Sequence, residues 1–334
     1  MSENNSKTEN MNRQRESDLI EFSQQTLAPF WDSRNEGFLE GQKGKRLYWV
    51  SLTKPEHTKA VLVVNGRIES VHKYQEVFWD LFQQGYDVYS FDHRGQGISE
   101  RCCDDREIGH VEHFDDYIQD MRLMVESFKL NQYQQKFILA HSMGGAIAIR
   151  YLQTYPQQHQ FNAVALSAPM MGIHVPWYLR PFSKTLACWL ASRGDEPSYA
   201  PSQKAYYAKP FEINKLTHSQ ARYEWFRNLY EELPEIKLGG ASSHWVHEAI
   251  IASQRCLDEV EKINIPVLLM QGSQDRVVDN VAQAQFIKKL NQAHPNLAKL
   301  SVMQGSRHEV LFETDELRSQ ALEQCLAFFS KSKK

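Results

Sequence analysis

After residue 40, short apolar runs alternate with longer segments in which apolar residues recur every three or four positions. The short runs predict strands and the longer amphipathic segments predict helices. The predicted strands are RLYWVSL, AVLVVNG, YDVYSF, KFILA, AVALSAP, IPVLLMQG and KLSVMQGS. Strands that alternate with helices are typical of βαβ units, and continuous apolar strands are typical of a sheet covered on both faces. The pattern therefore predicts an α/β fold with a mostly parallel central sheet.

This alternation is interrupted between residues 170 and 247, a stretch rich in Pro, Trp, Tyr and charge. A structureless loop of that length is uncommon inside a compact domain, so we predict an inserted cap at 170–247. The sheet domain then comprises residues 19–169 and 248–334. Residues 1–18 are polar and lack aromatic side chains, and they are predicted to form a disordered tail.

The composition excludes several classes of protein. The formal net charge of -3 gives no overall attraction to nucleic acid or anionic lipid. The N-terminus has no apolar segment of the kind found in signal peptides, and no run approaches the ~20 apolar residues of a membrane span. The five cysteines include no C-x-x-C pair, which indicates neither a disulfide framework nor a zinc site. We expect a cytoplasmic protein that is not secreted, has no transmembrane segment and binds no nucleic acid.

A serine lies where the segment KFILAHSMGGAIAIRY changes from strand to helix. A strand–Ser–helix turn is typical of a nucleophile elbow, which exposes the hydroxyl above the carboxyl edge of the sheet. Ala140 and Gly144 supply the small residues that such a turn requires two positions before and after Ser142. The alternative is that Ser142 only caps the following helix. Its potential partners decide between the two.

A catalytic serine needs a histidine as base and an acid that orients the histidine. Asp275 and His308 each follow one of the last two predicted strands, so both are expected at the sheet edge that carries Ser142. Asp279 is the nearest alternative acid, but it stands where the next helix needs an N-cap. Asp92 precedes the serine and is expected to form a structural turn. We therefore predict a triad of Ser142, Asp275 and His308.

The oxyanion that forms during such a reaction is stabilised by backbone N–H groups. One predicted donor is the N–H of Met143, which directly follows the serine. The second is expected from the loop after AVLVVNG. There the N–H of Arg67 is the predicted donor, and Gly66 is the alternative one residue earlier.

Five motifs, NGRIES, DHRGQGIS, LAHSMGGAIA, QDRVVDN and GSRHEVLFE, together resemble the lysophospholipase L2 family of bacteria. This family is a branch of the monoacylglycerol-lipase-like serine hydrolases with the α/β-hydrolase fold, and the similarity runs from about residue 20 to 330. The resemblance implies hydrolysis of the acyl ester of a lysophospholipid or monoacylglycerol through an acyl-enzyme. The products would be a free fatty acid and, from a lysophospholipid, a glycerophosphodiester. It implies no metal and no organic cofactor.

Three alternatives follow from the same residues. A proline iminopeptidase or another small-substrate esterase of this fold would need a cap carboxylate that holds a free amine. A non-catalytic ligand-binding protein of the fold would have no need for a base and its orienting acid. A metal site at His110 and His113 is disfavoured, because no further Cys/His cluster accompanies the pair.

Four basic residues of the predicted cap are candidates for contact with phosphate: Arg180, Lys184, Arg222 and Arg227. Each basic residue near an anionic membrane contributes about 1 kcal/mol to binding. We expect weak peripheral contact with the cytoplasmic face of the inner membrane through the cap. The same segment contains several glutamates, so a mixed solvated face is the alternative.

Overall fold

A computed structural model describes residues 15–173 and 197–332 of the chain. Its centre is an eight-stranded sheet in the order β1-β2-β4-β3-β5-β6-β7-β8. The strands are β1 Asn35–Glu40, β2 Arg46–Leu52, β3 Lys59–Val64, β4 Tyr86–Phe91, β5 Gln135–His141, β6 Ala163–Ser167, β7 Val267–Gly272 and β8 Ala298–Met303. Strand β2 pairs antiparallel with β1 and β4, and all other neighbours are parallel. The predicted mostly parallel sheet is confirmed.

Helices connect the strands in the predicted alternation. The helices are α1 Leu19–Phe22, α2 Ala28–Asp32, α3 Gln75–Gln83, α4 Phe114–Ser127, α5 Met143–Thr154, α6 Gln220–Glu232, α7 Ser243–Asp258, α8 Asn280–Ala293 and α9 Asp315–Lys331. A single π-helical turn, Ser23–Leu27, joins α1 to α2. Each helix that the pattern predicted is present, although α7 begins and ends several residues earlier than expected. In the two described ranges, no helix is both long and apolar enough to cross a bilayer.

Strand β3 shows how the sheet separates two apolar layers. Ala60, Leu62 and Val64 pack in a cluster that includes side chains of α4, α5, α7 and α8. Val61 and Val63 pack in a second cluster with side chains of α3 and α9. Successive side chains of a strand point to opposite faces, so a continuous apolar run can fill two cores at once.

The structure differs from the predicted disordered tail at its last four residues. Residues 1–14 lie outside the described part of the chain. Arg15 is buried, and its Nη2 donates a 2.7 Å hydrogen bond to Oδ1 of Asp80 on α3. The prediction of a tail up to residue 18 is therefore wrong for residues 15–18. The sequence gives no sign of this contact, because the partner carboxylate lies 65 positions away.

The predicted cap is described only in part, because residues 174–196 lie outside the described ranges. In its second half, α6 carries a small apolar cluster that contains Phe226, Leu229 and Tyr230. Helix α7 begins inside the predicted cap and buries Trp245 against the core of the sheet domain. The cap boundaries of 170 and 247 stay a prediction.

Candidate active site

Ser142 lies in a strained turn between β5 and α5. Its backbone has φ 51° and ψ -119°, in the positive-φ region that non-glycine residues rarely adopt. Neighbouring backbones crowd the turn, because a Cβ on Gly144 would lie 2.3 Å from the carbonyl oxygen of Val64. Only glycine therefore fits at position 144. This is the geometry of a nucleophile elbow, as predicted from the sequence.

The structure brings Ser142, His308 and Asp275 into one hydrogen-bonded line. His308 Nδ1 lies 2.7 Å from Oδ2 of Asp275, and its Nε2 lies 3.0 Å from Oγ of Ser142. An ionised carboxylate can only accept, so the ring carries its proton on Nδ1. Nε2 then accepts the hydrogen bond from the serine hydroxyl. This geometry is the one in which a histidine can act as base for a serine and an acid can orient the histidine.

The surroundings keep Asp275 ionised. Burial alone would raise the pKa of this carboxyl, but the hydrogen bond from His308 and two backbone N–H donors hold the pKa below its ordinary value. Those donors are the N–H groups of Val277 and Val278, both bonded to Oδ1. The alternative acid, Asp279, accepts instead from the N–H groups of Val281 and Ala282 as the N-cap of α8. The structure therefore gives the two aspartates different tasks.

The loop after β3 approaches Ser142 from the opposite side. A Cβ on Gly66 would lie 3.2 Å from Cβ of Ser142. The Gly66 N–H is already bonded, because it donates to Oε2 of Glu69 at 2.5 Å. Within the described residues, the N–H groups of Arg67 and Met143 donate to no protein group. The geometry favours Arg67 over Gly66 as the second oxyanion donor.

A buried charge cluster that the sequence analysis missed lies behind this loop. Nζ of Lys73 donates to Oε1 of Glu69 at 2.7 Å and to Oε1 of Glu309 at 2.6 Å. Burial would raise the pKa of Glu69, yet the charge of Lys73 and further polar contacts lower it to about 2. Since Glu309 directly follows His308, one ammonium group links the loop of Arg67 to the loop of His308. We name Glu69, Lys73 and Glu309 the loop-linking cluster.

A cavity of about 510 Å³ opens beside the serine. Ser142, His308, Arg67 and Trp245 line it from the sheet domain and α7, and Arg227 lines it from α6. A cavity of this size is typical of a site for a small ligand. The chemistry of the triad and the space for a substrate therefore meet at one place.

Two other polar sites suggested by the sequence have structural partners. Asp92 accepts from the N–H groups of Val71 and Ile98, and burial raises the pKa of its carboxyl to about 6. His110 bonds through Nδ1 to the hydroxyl of Ser242 at 2.9 Å. Within the described ranges, no three His, Cys, Asp or Glu side chains are grouped as metal ligands would be.

The prediction of contact with phosphate stands differently for each of the four basic residues. Arg180 and Lys184 lie outside the described residues. Arg222 is buried and bonds Glu76 through two nitrogen atoms, each at 2.8 Å, so the expectation is wrong for Arg222. Its charge is used inside the protein because α6 packs onto the acidic side of α3. Arg227 remains, and it lies in the wall of the cavity.

The mostly parallel sheet, with a serine elbow, a histidine and an acid at its carboxyl edge, defines an α/β-hydrolase. Solved structures agree with this class. A soluble variant of the Saccharomyces cerevisiae monoglyceride lipase superposes with a TM-score of 0.70 and 18% identity, over 90% of this chain and 95% of that chain. The Paleococcus ferrophilus monoacylglycerol lipase gives 0.65 and 20%, over 85% and 99%. At these identities the likeness shows the fold alone.

Sequence comparisons define the family more narrowly. A family model described as "Serine aminopeptidase, S33" matches residues 55–315. Lysophospholipase L2 of Escherichia coli K12 is 36% identical over 95% of this chain and 94% of its own length. The probable lysophospholipase L2 of Haemophilus influenzae is 34% identical over 92% and 96%. The chain belongs to the lysophospholipase L2 family, and the resemblance inferred from its motifs is confirmed.

Proposed function

We propose that this protein is a serine hydrolase that cleaves the acyl ester of a lysophospholipid or a monoacylglycerol. The observation that carries the proposal is the line from Ser142 Oγ through His308 to Asp275, beside a cavity of about 510 Å³. Relatives named as lysophospholipases match the chain over nearly its whole length, which supports a lipid ester as substrate.

The first half of the reaction forms an acyl-enzyme. Nε2 of His308 takes the proton of the Ser142 hydroxyl while Oγ attacks the ester carbonyl carbon. The negative charge that develops on the carbonyl oxygen is stabilised by the N–H groups of Arg67 and Met143. The bond between the acyl carbon and the glycerol oxygen then breaks. His308 returns its proton to that oxygen, and the glycerophosphodiester or glycerol leaves.

The second half releases the fatty acid. His308 takes a proton from a water molecule, whose oxygen attacks the acyl carbon. The bond to Ser142 Oγ breaks and the proton returns to the serine. Throughout, Asp275 holds the imidazole in the tautomer that leaves Nε2 free and stabilises the imidazolium form. The chain needs no further group for these steps.

Aminopeptidase activity is the second candidate, because the matching family model is described as a serine aminopeptidase. Such an enzyme needs a free carboxylate that binds the amino group of its substrate. The described carboxylates in the cavity wall are Glu69 and Glu309, and both already bind Lys73. The occupied carboxylates favour an ester over a peptide with a free amine.

The test combines chemical labelling with hydrolysis of a lysophospholipid. The wild-type protein should react with a fluorophosphonate probe, whereas a ligand-binding protein without catalysis would not. We expect Ser142→Ala to lose labelling and to lower kcat by about 10⁴–10⁶-fold with an unchanged melting temperature. Asp275→Asn should lower kcat by about 10⁴-fold, because the amide no longer selects the tautomer of His308.

Asp279→Asn is the matched control for the acid, since asparagine caps a helix as well as aspartate does. It should change kcat less than about twofold. A folded Ser142→Ala protein that keeps its activity would overturn the proposed nucleophile. Equal losses in Asp275→Asn and Asp279→Asn would overturn the proposed acid.

We propose further that the segment 170–247 acts as a cap and brings the cavity to a membrane surface from the cytoplasmic side. Supporting this, Tyr207 and Ile213 are exposed, and Lys204 and Lys209 lie next to them in the chain. Exposed aromatic and basic side chains are typical of peripheral contact with lipid. Co-sedimentation with anionic liposomes at low and high salt tests it. Binding that is absent at every salt concentration would exclude this location.

A further inference from the structure

Two cations in the cavity wall, Arg67 and Arg227, have no carboxylate partner among the described residues. The guanidinium of Arg67 makes one hydrogen bond, at 3.3 Å to the carbonyl of Gly239, and lies 5.2 Å from the ring of Trp245. Burial lowers the pKa of Arg67 to about 10. That still leaves it charged at neutral pH. Arg67 is half-buried, and a partly desolvated cation without a counter-ion is costly unless a ligand supplies the negative charge.

Arg227 is held by aromatic rings. Its guanidinium carbon lies 4.9 Å from the ring centre of Tyr223 and 5.6 Å from that of Tyr230. Its Nε is buried without a hydrogen-bond partner. Cation–π contacts fix the plane of the guanidinium, and N–H groups at its edge can still bind an oxyanion.

Two segments that contact each other, around Gly239 and around Tyr206, connect the two arginines. Nη1 of Arg67 reaches Gly239, and a Cβ on Gly239 would lie 2.8 Å from the backbone nitrogen of Tyr206. The ring of Tyr206 in turn lies 5.9 Å from the guanidinium carbon of Arg227. Tyr230 connects the same parts, because its hydroxyl donates to the carbonyl of Ile68, next to Arg67. Both guanidinium groups therefore belong to the same wall of the cavity.

The other charges in the described wall leave this side positive. Lys204 and Lys209 are two further cations there, and neither has an ion pair among the described residues. Glu69 and Glu309 are the carboxylates, and they share the ammonium of Lys73 behind the wall. Resting on the proposed function, we propose that Arg67 and Arg227 form an anion subsite that binds the phosphate of a phosphorylated monoacyl ester. The subsite makes the lysophospholipid, rather than the monoacylglycerol, the preferred substrate.

The experiment compares 1-oleoyl lysophosphatidylethanolamine with 1-oleoylglycerol, both in micelles of one neutral detergent. Arg227→Gln should lower kcat/KM for the phosphorylated lipid by about 10–100-fold, the loss typical of one hydrogen bond to a charged group. The ratio of kcat/KM for the phosphorylated lipid to kcat/KM for 1-oleoylglycerol should fall at least about tenfold. Arg227→Lys, which keeps the charge, should recover part of the ratio. Arg67→Gln removes the guanidinium and keeps the backbone N–H, and it should lower the ratio in the same direction.

The matched control is Arg122→Gln on α4, where an exposed arginine pairs with Glu126 outside the cavity. This control variant should leave kcat/KM for both lipids unchanged. A second measurement uses sn-glycerol 3-phosphate as inhibitor of p-nitrophenyl butyrate hydrolysis. Its inhibition constant should rise at least about tenfold in Arg227→Gln, while glycerol should inhibit neither protein at the same concentration.

The outcomes separate the two proposals. If the wild-type protein hydrolyses neither lipid in a Ser142-dependent way, the proposed function fails and this subsite fails with it. If it hydrolyses both lipids and Arg227→Gln leaves their ratio unchanged, only the subsite is overturned. Equal losses on both substrates in folded Arg227→Gln would make Arg227 a structural residue and overturn the subsite as well.

Discussion

Two arginines of α6 lie in opposite surroundings. Arg222 bonds Glu76 twice and also lies 2.6 Å from a carboxylate oxygen of Asp315. Arg227, just over one turn further along, faces aromatic rings and no described carboxylate. A charge that is matched inside the protein holds elements together. A charge left unmatched beside a cavity is free to select a ligand.

The matched charges form a cluster that joins four parts of the chain. Arg15 and Arg318 both lie within 3 Å of carboxylate oxygens of Asp80. Arg222 and Glu76 complete the cluster. Burial would raise the pKa of Glu76, but the charges of Arg318 and Arg222 hold it far below its ordinary value. The N-terminal segment, α3, α6 and α9 therefore meet at one set of ion pairs.

Low pH shows what a buried cation without a counter-ion costs, because buried histidines then become charged and no ligand compensates them. Burial lowers the pKa of four histidines to about 4 from the ordinary 6.5: His72, His93, His110 and His141. Between those values the unfolded chain binds protons that the folded chain does not. Their contribution to stability is therefore complete above pH 6.5 and is lost as the pH falls toward 4. The raised pKa values of Asp92 and Asp120 act in the opposite direction, but these groups are fewer than the histidines.

We therefore expect the free energy of unfolding to fall by several kcal/mol between pH 7 and pH 5, a larger change in stability than any single substitution below should cause. Urea midpoints measured at half-unit intervals of pH give the curve. Because its ion pairs hold the pKa of Glu76 far below its ordinary value, Glu76→Gln should leave the shape of this curve unchanged above pH 5. A midpoint that is constant from pH 7 to 5 would contradict neutral buried histidines.

Removing one matched charge should have the next largest effect. Glu76→Gln leaves buried arginines without a counter-charge, so we expect a loss of about 3–5 kcal/mol in the free energy of unfolding. Glu126→Gln is the matched control, because its ion pair with Arg122 is exposed and exposed pairs contribute at most about 1 kcal/mol. Chemical denaturation of both variants gives the comparison. Similar losses in the two variants would show that the cluster is no stronger than a surface pair.

Removing the unmatched charge should have the smallest effect on stability. Arg227→Gln loses cation–π contacts but also relieves an uncompensated cation, so the free energy of unfolding should change by less than about 1 kcal/mol. Arg222→Gln, on the same helix, should cost about 3–5 kcal/mol. Thermal unfolding of the two variants side by side measures the difference. A larger loss in Arg227→Gln would reverse the comparison.

The sequence predicted the residues whose roles depend on short-range pattern. Ser142, Asp275 and His308 each follow an apolar strand, and parallel strands bring their carboxyl ends to one edge. Strand β1 was missed because NEGFLE has only two large apolar residues and contains Gly37, which packs on the ring of Trp49. The stability of β1 comes from its antiparallel pairing with β2 and not from its own composition.

Long-range partners could not be predicted from the same patterns. Arg222 and Arg227 are equivalent in sequence, and only the packing of α6 on α3 shows which one is matched. The loop-linking cluster was missed for the same reason, since Lys73 and Glu309 lie 236 positions apart. Contacts of this kind depend on the assembled fold.

The 236 positions between Lys73 and Glu309 have a consequence for how the protein gains activity during synthesis. A ribosome that adds about 5–20 residues per second needs roughly 10–50 seconds to pass from Lys73 to Glu309. For much of that interval the serine is already made, but its base and the second carboxylate for Lys73 are not. On the proposed mechanism the nascent chain therefore carries an inert nucleophile, and hydrolytic activity arises only when the last strand and the loop of His308 close onto the sheet.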